Sequence, residues 1–306
     1  MKSKASPFDF GEALTHTRMM EQIDALKDRY DCIGITNIGE SVLGKSLPLL
    51  SIGEGEKAVL YVGAHSGTDS QSSALLLRFL YEFCEQYQAN GRMFQYSLSY
   101  LCSVRTVYIL PMLNPDGVEY HINGISPEHI LYDRVCAMNG GSDDLRGWQA
   151  NARGVELNHN YNYEFTNHKK QEISEGILGG APCGFSGESP ESEPEIGTLC
   201  NFLRYRKDIR AVLSVHTGRE MSQKIVYTAG TKTAPRSLAL GNAISRMTGY
   251  PLATYDGWES VGAMSAWCIE ELGLPAYSIA CGEEASDGFR TYASLRETLF
   301  TLPTMI

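Results

Sequence analysis

The chain has 306 residues, of which 43% are hydrophobic and 20% are charged, and these fractions are typical of a globular protein. Its formal net charge of −10 argues against nucleic acid or an anionic membrane surface as a partner. No stretch approaches the length of a membrane span, and the N-terminal MKSKASPFDF lacks the apolar segment of a signal peptide. We therefore predict a cytoplasmic protein.

The cysteines are scattered and contain no C-x-x-C pair, which argues against a structural zinc site and against a dense disulfide framework. They are predicted to be reduced, small, buried hydrophobic residues. Their positions are Cys32, Cys84, Cys102, Cys136, Cys183, Cys200, Cys268 and Cys281.

Apolar residues at helical spacing and short runs of β-forming residues predict alternating helices and strands. In chain order we predict helix Thr17–Tyr30, strands Ser46–Gly53 and Ala58–Val62, helix Ser73–Tyr87, strand Thr106–Pro111, helix Ile196–Tyr205, strands Ile209–Val215 and Lys224–Thr228, helix Pro235–Thr248, strand Leu252–Tyr255, helix Met264–Leu272, strand Ala276–Ala280 and helix Phe289–Leu302. Gly124–Asp144 and Gln171–Pro194 are predicted loops. The alternation predicts one α/β domain over residues 1–306, with residues 1–16 as a loose N-terminal extension.

The strand Ala58–Val62 ends in a polar turn, His65-Ser66-Gly67-Thr68-Asp69, and a helix follows. A strand that leads through a turn into a helix is where α/β proteins place their chemistry. The histidine and the carboxylate make this turn a candidate metal site.

Further segments follow this turn in a recognisable order. They are Leu110–Val118, Trp148–Tyr161, Ser189–Glu195, Val212–Glu220 and Gly262–Gly282. Together they resemble the zinc carboxypeptidase family, and within it the bacterial γ-D-glutamyl-diamino-acid peptidases that cut peptidoglycan stem peptides. The resemblance implies an eight-stranded, mixed, mostly parallel sheet flanked by helices, with the site at the carboxyl ends of the central strands.

The resemblance also implies a catalytic apparatus. In the family, a His and a Glu spaced H-x-x-E hold Zn²⁺ together with a distant second His, and water takes the fourth position. A Glu in a T-I-E-x-G strand acts as the general base, while zinc and an Arg stabilise the oxyanion. An Asn-Arg pair binds the carboxylate of the substrate.

The metal ligands are only partly retained. His216 matches the distant second His, but no H-x-x-E is present. In one alignment, His65 stands at the position of the family His and Thr68 at that of the Glu. We favour a second alignment, because it keeps Gly67 and a carboxylate. It places Ser66 and Asp69 at these two ligand positions. In a further alternative, one metal is shared by His65, Asp69 and His216, although Asp is one methylene shorter than Glu.

The general base and the substrate clamp are also altered. Ala280 stands at the position of the catalytic Glu, and a methyl group accepts no proton. Glu283 and Glu284 follow as alternative bases or as loop carboxylates. Asn158 is retained, but His159 replaces the family Arg and offers no bidentate fork.

Three further residues are candidates for substrate contacts. Arg153 and Arg146 are candidates for the cation at the oxyanion site or are surface residues. Trp258 lies near the position of the mobile family Tyr, where it covers a pocket or belongs to the core.

These changes predict that zinc is bound weakly or not at all. Our first hypothesis is a non-catalytic or weakly active pseudoenzyme that binds a peptide or a peptidoglycan stem fragment in the ancestral cleft. The alternative is an active zinc metallopeptidase with an atypical ligand set, and a scaffold that binds another protein is a third class. Whether the chain is an enzyme is therefore left open by the sequence, and no protein partner is identified.

Overall fold

The computed structural model of this protein describes residues 13–218, 222–228, 234–255, 263–282 and 287–306. The helices in these ranges are α1 (His16–Arg29), α2 (Ser70–Gln88), α3 (Leu98–Val104), α4 (Pro115–Asn123), α5 (Tyr132–Met138), α6 (Phe165–Ser174), α7 (Pro194–Tyr205), α8 (Ala234–Thr248), α9 (Ala263–Leu272) and α10 (Gly288–Thr301). The strands are β1 (Ile33–Glu40), β2 (Ser46–Ile52), β3 (Lys57–Val62), β4 (Arg92–Met93), β5 (Tyr96–Ser97), β6 (Arg105–Leu110), β7 (Ile209–His216), β8 (Lys224–Tyr227), β9 (Leu252–Thr254) and β10 (Ala276–Ala280).

Within the described ranges, eight strands form one sheet in the order β1-β2-β6-β3-β7-β10-β8-β9, and β4 and β5 form a separate hairpin. The central strands β6, β3, β7 and β10 are parallel, whereas β1, β2 and β8 pair antiparallel with their inner neighbours. Helices cover both faces of the sheet. This architecture confirms the predicted α/β class with a mixed, mostly parallel, eight-stranded sheet.

The central strand β3 is buried on both sides, so its sequence is apolar without alternation. Val59 and Tyr61 face a core that contains residues of α1, α2, α8 and α10. Ala58, Leu60 and Val62 face a second core that contains residues of α7 and α9. Because both faces are covered, the ends of β3 are the places where polar side chains can gather.

Most predicted elements are present, with small shifts of their ends. The edge strand β1 was not predicted, because most of its side chains are exposed and it is defined by its pairing with β2. The predicted loop 124–144 contains the helix α5. The predicted loop 171–194 is wrong at its start, because α6 continues to Ser174. This last part of the helix is held by the buried carboxylate of Glu172, which accepts hydrogen bonds from Lys169 and Ser186.

The proposed N-terminal extension, residues 1–16, falls mostly outside the described residues. Of the described part, Leu14 is buried, and the hydroxyl of Thr15 accepts a hydrogen bond from the backbone N–H of Arg18 at the start of α1. Among the residues that the structure describes, no helix has the length and apolar character needed to cross a membrane.

Candidate functional site

The carboxyl ends of three neighbouring parallel strands bring the candidate residues together. β3 leads into the turn that contains His65 and Asp69, β7 ends at His216, and β10 ends at Ala280. Ala280 lies directly beside His216 in the register of β10 and β7. The topology therefore places residues from distant parts of the sequence at one edge of the sheet.

The turn after β3 is fixed by close backbone contacts. The backbone N–H of Gly67 donates to the carbonyl of Gln149 at 2.8 Å. A Cβ on Gly67 would lie 2.5 Å from the carbonyl oxygen of Trp148, so only glycine fits. The side-chain amide of Asn114 donates to the carbonyl of His65 at 3.1 Å. Segments that carry the family resemblance thus hold the turn in place.

Asp69 connects this turn to the end of β7. Its Oδ1 accepts hydrogen bonds from the backbone N–H of Thr217 at 2.9 Å and from the Thr217 hydroxyl. Its Oδ2 lies 4.0 Å from Nδ1 of His216 and has no hydrogen-bond partner within the described ranges. Burial raises the pKa of Asp69 to about 7, although the hydrogen bonds from Thr217 oppose this shift.

The two histidines lie with their ring centroids 5.1 Å apart. Nε2 of His65 is within hydrogen-bonding distance of the Tyr161 hydroxyl at 3.0 Å, and no residue that the structure describes forms a hydrogen bond with its buried Nδ1. Nε2 of His216 lies 2.9 Å from the hydroxyl of Ser214. Burial lowers the pKa of His216 to about 4; burial and the neighbouring His216 lower the pKa of His65. Both imidazoles are therefore neutral at pH 7.

The candidate metal ligands at this edge, His65, Asp69 and His216, come from the turn after β3 and from the end of β7. Among the described residues, no three His, Cys, Asp or Glu side chains are placed to hold one metal ion. The hydroxyl of Ser66 lies 3.0 Å from that of Thr68 in a hydrogen bond within the turn. Asp69 and His216 are 1% and 2% exposed, so both side chains are almost fully buried.

Ala280 places a methyl group beside the candidate metal ligand. It is fully buried in the core that α7 and α9 cover, and the next residue, Cys281, donates its backbone N–H to the carbonyl of His216 at 2.9 Å. The alternative bases Glu283 and Glu284 lie outside the described residues, as does Trp258.

The candidate substrate clamp lies in a short 3-10 turn, Leu157–His159. Asn158 is 2% exposed, and its Oδ1 has no hydrogen-bond partner in the part of the chain that the structure describes. The ring of His159 stacks on that of His168 at 4.6 Å, and its Nδ1 lies 3.9 Å from a carboxylate oxygen of Glu156. A stacked imidazole in this position presents no planar pair of donors to a carboxylate.

The two candidate arginines make ion pairs outside this cluster. The Arg146 side chain is 86% exposed and pairs with Asp144. Nη1 of Arg153 lies 3.6 Å from Oε2 of the buried Glu193. Their role as the oxyanion cation stays a prediction.

The structure adds polar residues that the sequence did not single out. Tyr161 contacts His65, and Thr217 donates hydrogen bonds to Asp69. The Ser214 hydroxyl, which lies beside Nε2 of His216, donates a hydrogen bond to the hydroxyl of Ser278 at 2.8 Å. The spacing Ser214-x-His216 was the available signal, because alternate residues of a strand share a face.

Comparison with known proteins agrees with this fold. The family model described as zinc carboxypeptidase matches residues 19–297. Gamma-D-glutamyl-L-diamino acid endopeptidase 1 of Lysinibacillus sphaericus is 26% identical over 270 residues, which are 87% of this chain and 65% of that protein. Carboxypeptidase A6 of Homo sapiens is 30% identical over 195 residues, covering 62% of this chain and 39% of that protein.

A solved structure has the same fold. Bovine thrombin-activatable fibrinolysis inhibitor, in complex with tick carboxypeptidase inhibitor, superposes with a TM-score of 0.72 at 20% identity, over 96% of this chain and 97% of that one. This chain spans 65% of the length of the bacterial endopeptidase, so the match concerns a part of that protein. Because the family model covers most of the sequence, the chain belongs to the zinc carboxypeptidase family.

Proposed function

We propose that this chain binds a peptide, in particular a peptidoglycan stem fragment, without the zinc-dependent hydrolysis of its family. The observation that carries the proposal is Ala280 at the end of β10, in register with His216. A methyl group there neither accepts a proton from water nor orients it, and general-base help contributes roughly 10²–10⁴-fold in rate. The relationship to a γ-D-glutamyl-diamino acid endopeptidase supports the ligand class.

A second candidate, an active metallopeptidase with an atypical ligand set, is favoured by two orphaned atoms. Nδ1 of His65 and Oδ2 of Asp69 are buried and find no hydrogen-bond partner among the described residues, near the neutral imidazole of His216. These are donor atoms that zinc accepts. This candidate requires the three side chains to converge from their present positions.

Zinc content and hydrolysis separate the two candidates. We expect protein purified without chelator to contain far less than one zinc per chain by elemental mass spectrometry. We also expect no cleavage of a γ-D-glutamyl-diamino-acid peptide in the presence of added zinc. Near-stoichiometric zinc together with cleavage would contradict the proposal and support the atypical metallopeptidase.

Restoring the family ligands tests the alignment that places Ser66 and Asp69 at the ligand positions. The combined variant Ser66→His, Asp69→Glu and Ala280→Glu supplies a second nitrogen donor beside His216, a longer carboxylate and a base. We expect zinc affinity at least ~100-fold above that of the parent, measured by competition with a chelating dye. The control variant Ser66→Asn, Asp69→Gln and Ala280→Gln has side chains of similar size and should not gain zinc affinity. A parent that binds zinc as tightly as the combined variant would show that the alignment is wrong.

Substitutions at the candidate substrate clamp, Asn158 and His159, test the binding of the peptide. We expect Asn158→Ala to weaken binding of a γ-D-glutamyl-diamino-acid peptide in calorimetry. We expect His159→Arg to strengthen it by about 10-fold, because a guanidinium donates two charge-assisted hydrogen bonds to a carboxylate. Asn162→Ala, at an exposed position nearby, is the control. Absence of binding by the parent protein would contradict the proposal.

A further inference from the structure

The imidazole of His159, in the candidate substrate clamp, is packed beside a second histidine and a carboxylate. Its ring stacks on that of His168, in α6, with an interplanar angle of 22°. Its Nδ1 lies 3.9 Å from Oε2 of Glu156, and the same oxygen accepts a hydrogen bond from the backbone N–H of Gly184 at 2.7 Å. The His159 side chain is 12% exposed, and neither ring nitrogen forms a hydrogen bond with a residue that the structure describes. The imidazole therefore has hydrogen-bonding capacity left for a ligand.

The charges around the two stacked rings are mostly negative. Burial, together with the neighbouring His159, lowers the pKa of His168 to about 4. The carboxylates of Glu172, Glu156 and Glu164 oppose this shift, so all three lie near the ring. The ring of His168 is therefore neutral at pH 7, and the carboxylates gain no counter-charge from it.

Two cations on neighbouring segments are engaged by other groups. Nζ of Lys169 lies 2.8 Å from Oε2 of Glu172 and 4.1 Å from the centre of the Phe185 ring. Nη1 of Arg153 lies 3.6 Å from Oε2 of Glu193. A ligand carboxylate at the clamp would thus add a negative charge near buried carboxylates, while both of these cations are held elsewhere.

A carboxamide suits these surroundings better than a carboxylate does. A neutral imidazole has one nitrogen that donates a hydrogen bond and one that accepts it. A carboxamide offers both an N–H donor and a carbonyl acceptor, whereas an ionised carboxylate offers acceptors only. The carboxamide also brings no charge towards Glu156, and like charges that are brought together in a binding site weaken binding.

We propose that the candidate substrate clamp selects a diamino-acid residue whose α-carboxyl group is amidated, and that Glu156 is the residue that disfavours the free carboxylate. This inference rests on the proposed function, because it concerns one end of the same peptide. Specificity is a difference between two binding free energies, and repulsion of the disfavoured ligand is enough to produce it. Glu156 is thus a specificity-determining residue that acts through its charge and its place beside His159.

A matched pair of dipeptides tests the inference on the parent protein. One is a γ-D-glutamyl-diamino-acid dipeptide whose diamino acid has a free α-carboxylate, and the other is the same dipeptide as the α-carboxamide. We expect calorimetry at pH 7.5 to give a Kd for the carboxamide that is roughly 10-fold lower. Equal affinities, or tighter binding of the carboxylate, would overturn the inference and leave the proposed function standing. Absence of binding by both dipeptides would overturn the proposed function and this inference with it.

Substitution of Glu156 identifies the source of the preference. Glu156→Gln removes the charge but keeps an oxygen that can accept the N–H of Gly184. We expect the ratio of the two Kd values to fall by at least ~3-fold, because the repulsion of the carboxylate is lost. Glu188→Gln, at an exposed position of the following segment, is the matched control and should keep the ratio of the parent. A Glu156→Gln variant that is folded by circular dichroism and keeps the ratio of the parent would overturn the assignment of Glu156.

A cation at the clamp should remove the preference. In His159→Arg, the guanidinium donates two charge-assisted hydrogen bonds to a carboxylate, so the free carboxylate should gain affinity relative to the carboxamide. The same pair of dipeptides measures this change. A preference for the carboxamide that is undiminished in His159→Arg would overturn the placement of the α-carboxyl group beside His159.

Discussion

The carboxyl group of Asp69 and the imidazole of His216 lie 4.0 Å apart without forming an ion pair near neutral pH. Burial raises the pKa of Asp69 to about 7 and lowers that of His216 to about 4, so between these values both side chains are neutral. The hydrogen bonds from Thr217, rather than charge attraction, hold Asp69 in place. At the scale of the residue, burial therefore decides the chemistry that these groups can perform.

Glu195, at the start of α7, provides a measurable case of the same effect. It is fully buried and accepts a hydrogen bond from the backbone N–H of Val42 at 3.1 Å. Burial, with a smaller contribution from Asp116, raises its pKa to about 7. The folded state thus binds a proton more tightly than the unfolded state does between about pH 4.5 and 7. The stability contributed by the protonated group is present at low pH and is lost as the pH rises through 7.

We predict that Glu195→Gln removes this pH dependence. From pH 4.5 to 8, the free energy of unfolding of the parent should fall relative to that of the variant by up to about 3 kcal/mol. Urea unfolding at several pH values measures the difference, and Glu188→Gln, at an exposed position, is the control. A constant difference across this range would contradict the raised pKa.

At the scale of the element, the turn between β3 and α2 depends on close backbone packing. Gly67 approaches both the carbonyl of Trp148 and that of Gly117. Ala64 has a positive φ of 45°, a conformation that residues with a Cβ rarely adopt. The turn is thus held by its surroundings rather than by its own conformational preference.

We predict that Gly67→Ala destabilises the protein by about 1–3 kcal/mol, because its Cβ would overlap backbone atoms that cannot move without displacing the turn. Gly147→Ala is the matched control, since a Cβ at Gly147 meets no atom of the described residues within 4 Å. Thermal unfolding of both variants measures the effect. Equal stability of the two variants would show that the backbone of the turn moves to accommodate the added Cβ at no cost in stability.

At the scale of the whole molecule, α10 joins the C-terminal part of the chain to its N-terminal half. The ring of Phe300 stacks on that of Phe83 with centroids 5.7 Å apart, and its edge contacts Phe79 at 5.0 Å. The Arg296 guanidinium also pairs with Glu82 of α2. Helix α10 is therefore held against α2 in the layer of helices on one face of the sheet.

We predict that Phe300→Ala lowers the free energy of unfolding by about 3–5 kcal/mol, because it leaves a cavity among aromatic rings. Phe289→Ala, in the same helix at a position that is 58% exposed, should cost much less. Denaturant unfolding measures the loss of stability in each of the two variants. Similar losses would indicate that packing around Phe300 collapses to fill the space.

The sequence by itself determined the α/β class, most of the elements and the family resemblance. Apolar runs such as β3 and periodic helices such as α1 carry their own signal, because burial on two faces or on one stripe selects the residues. It did not reveal β1, whose side chains are mostly exposed, or α6, where polar contacts of Glu172 replace an apolar stripe.

Only the tertiary structure decided how the candidate residues meet. Asp69 and Thr217 are separated by 148 positions in the chain, and parallel pairing of β3 with β7 brings them into contact. The burial that makes Asp69 and His216 neutral comes from surrounding layers that no local pattern encodes. Residue types can be read from the sequence, whereas their protonation and mutual distances depend on the packing of segments far apart along the chain.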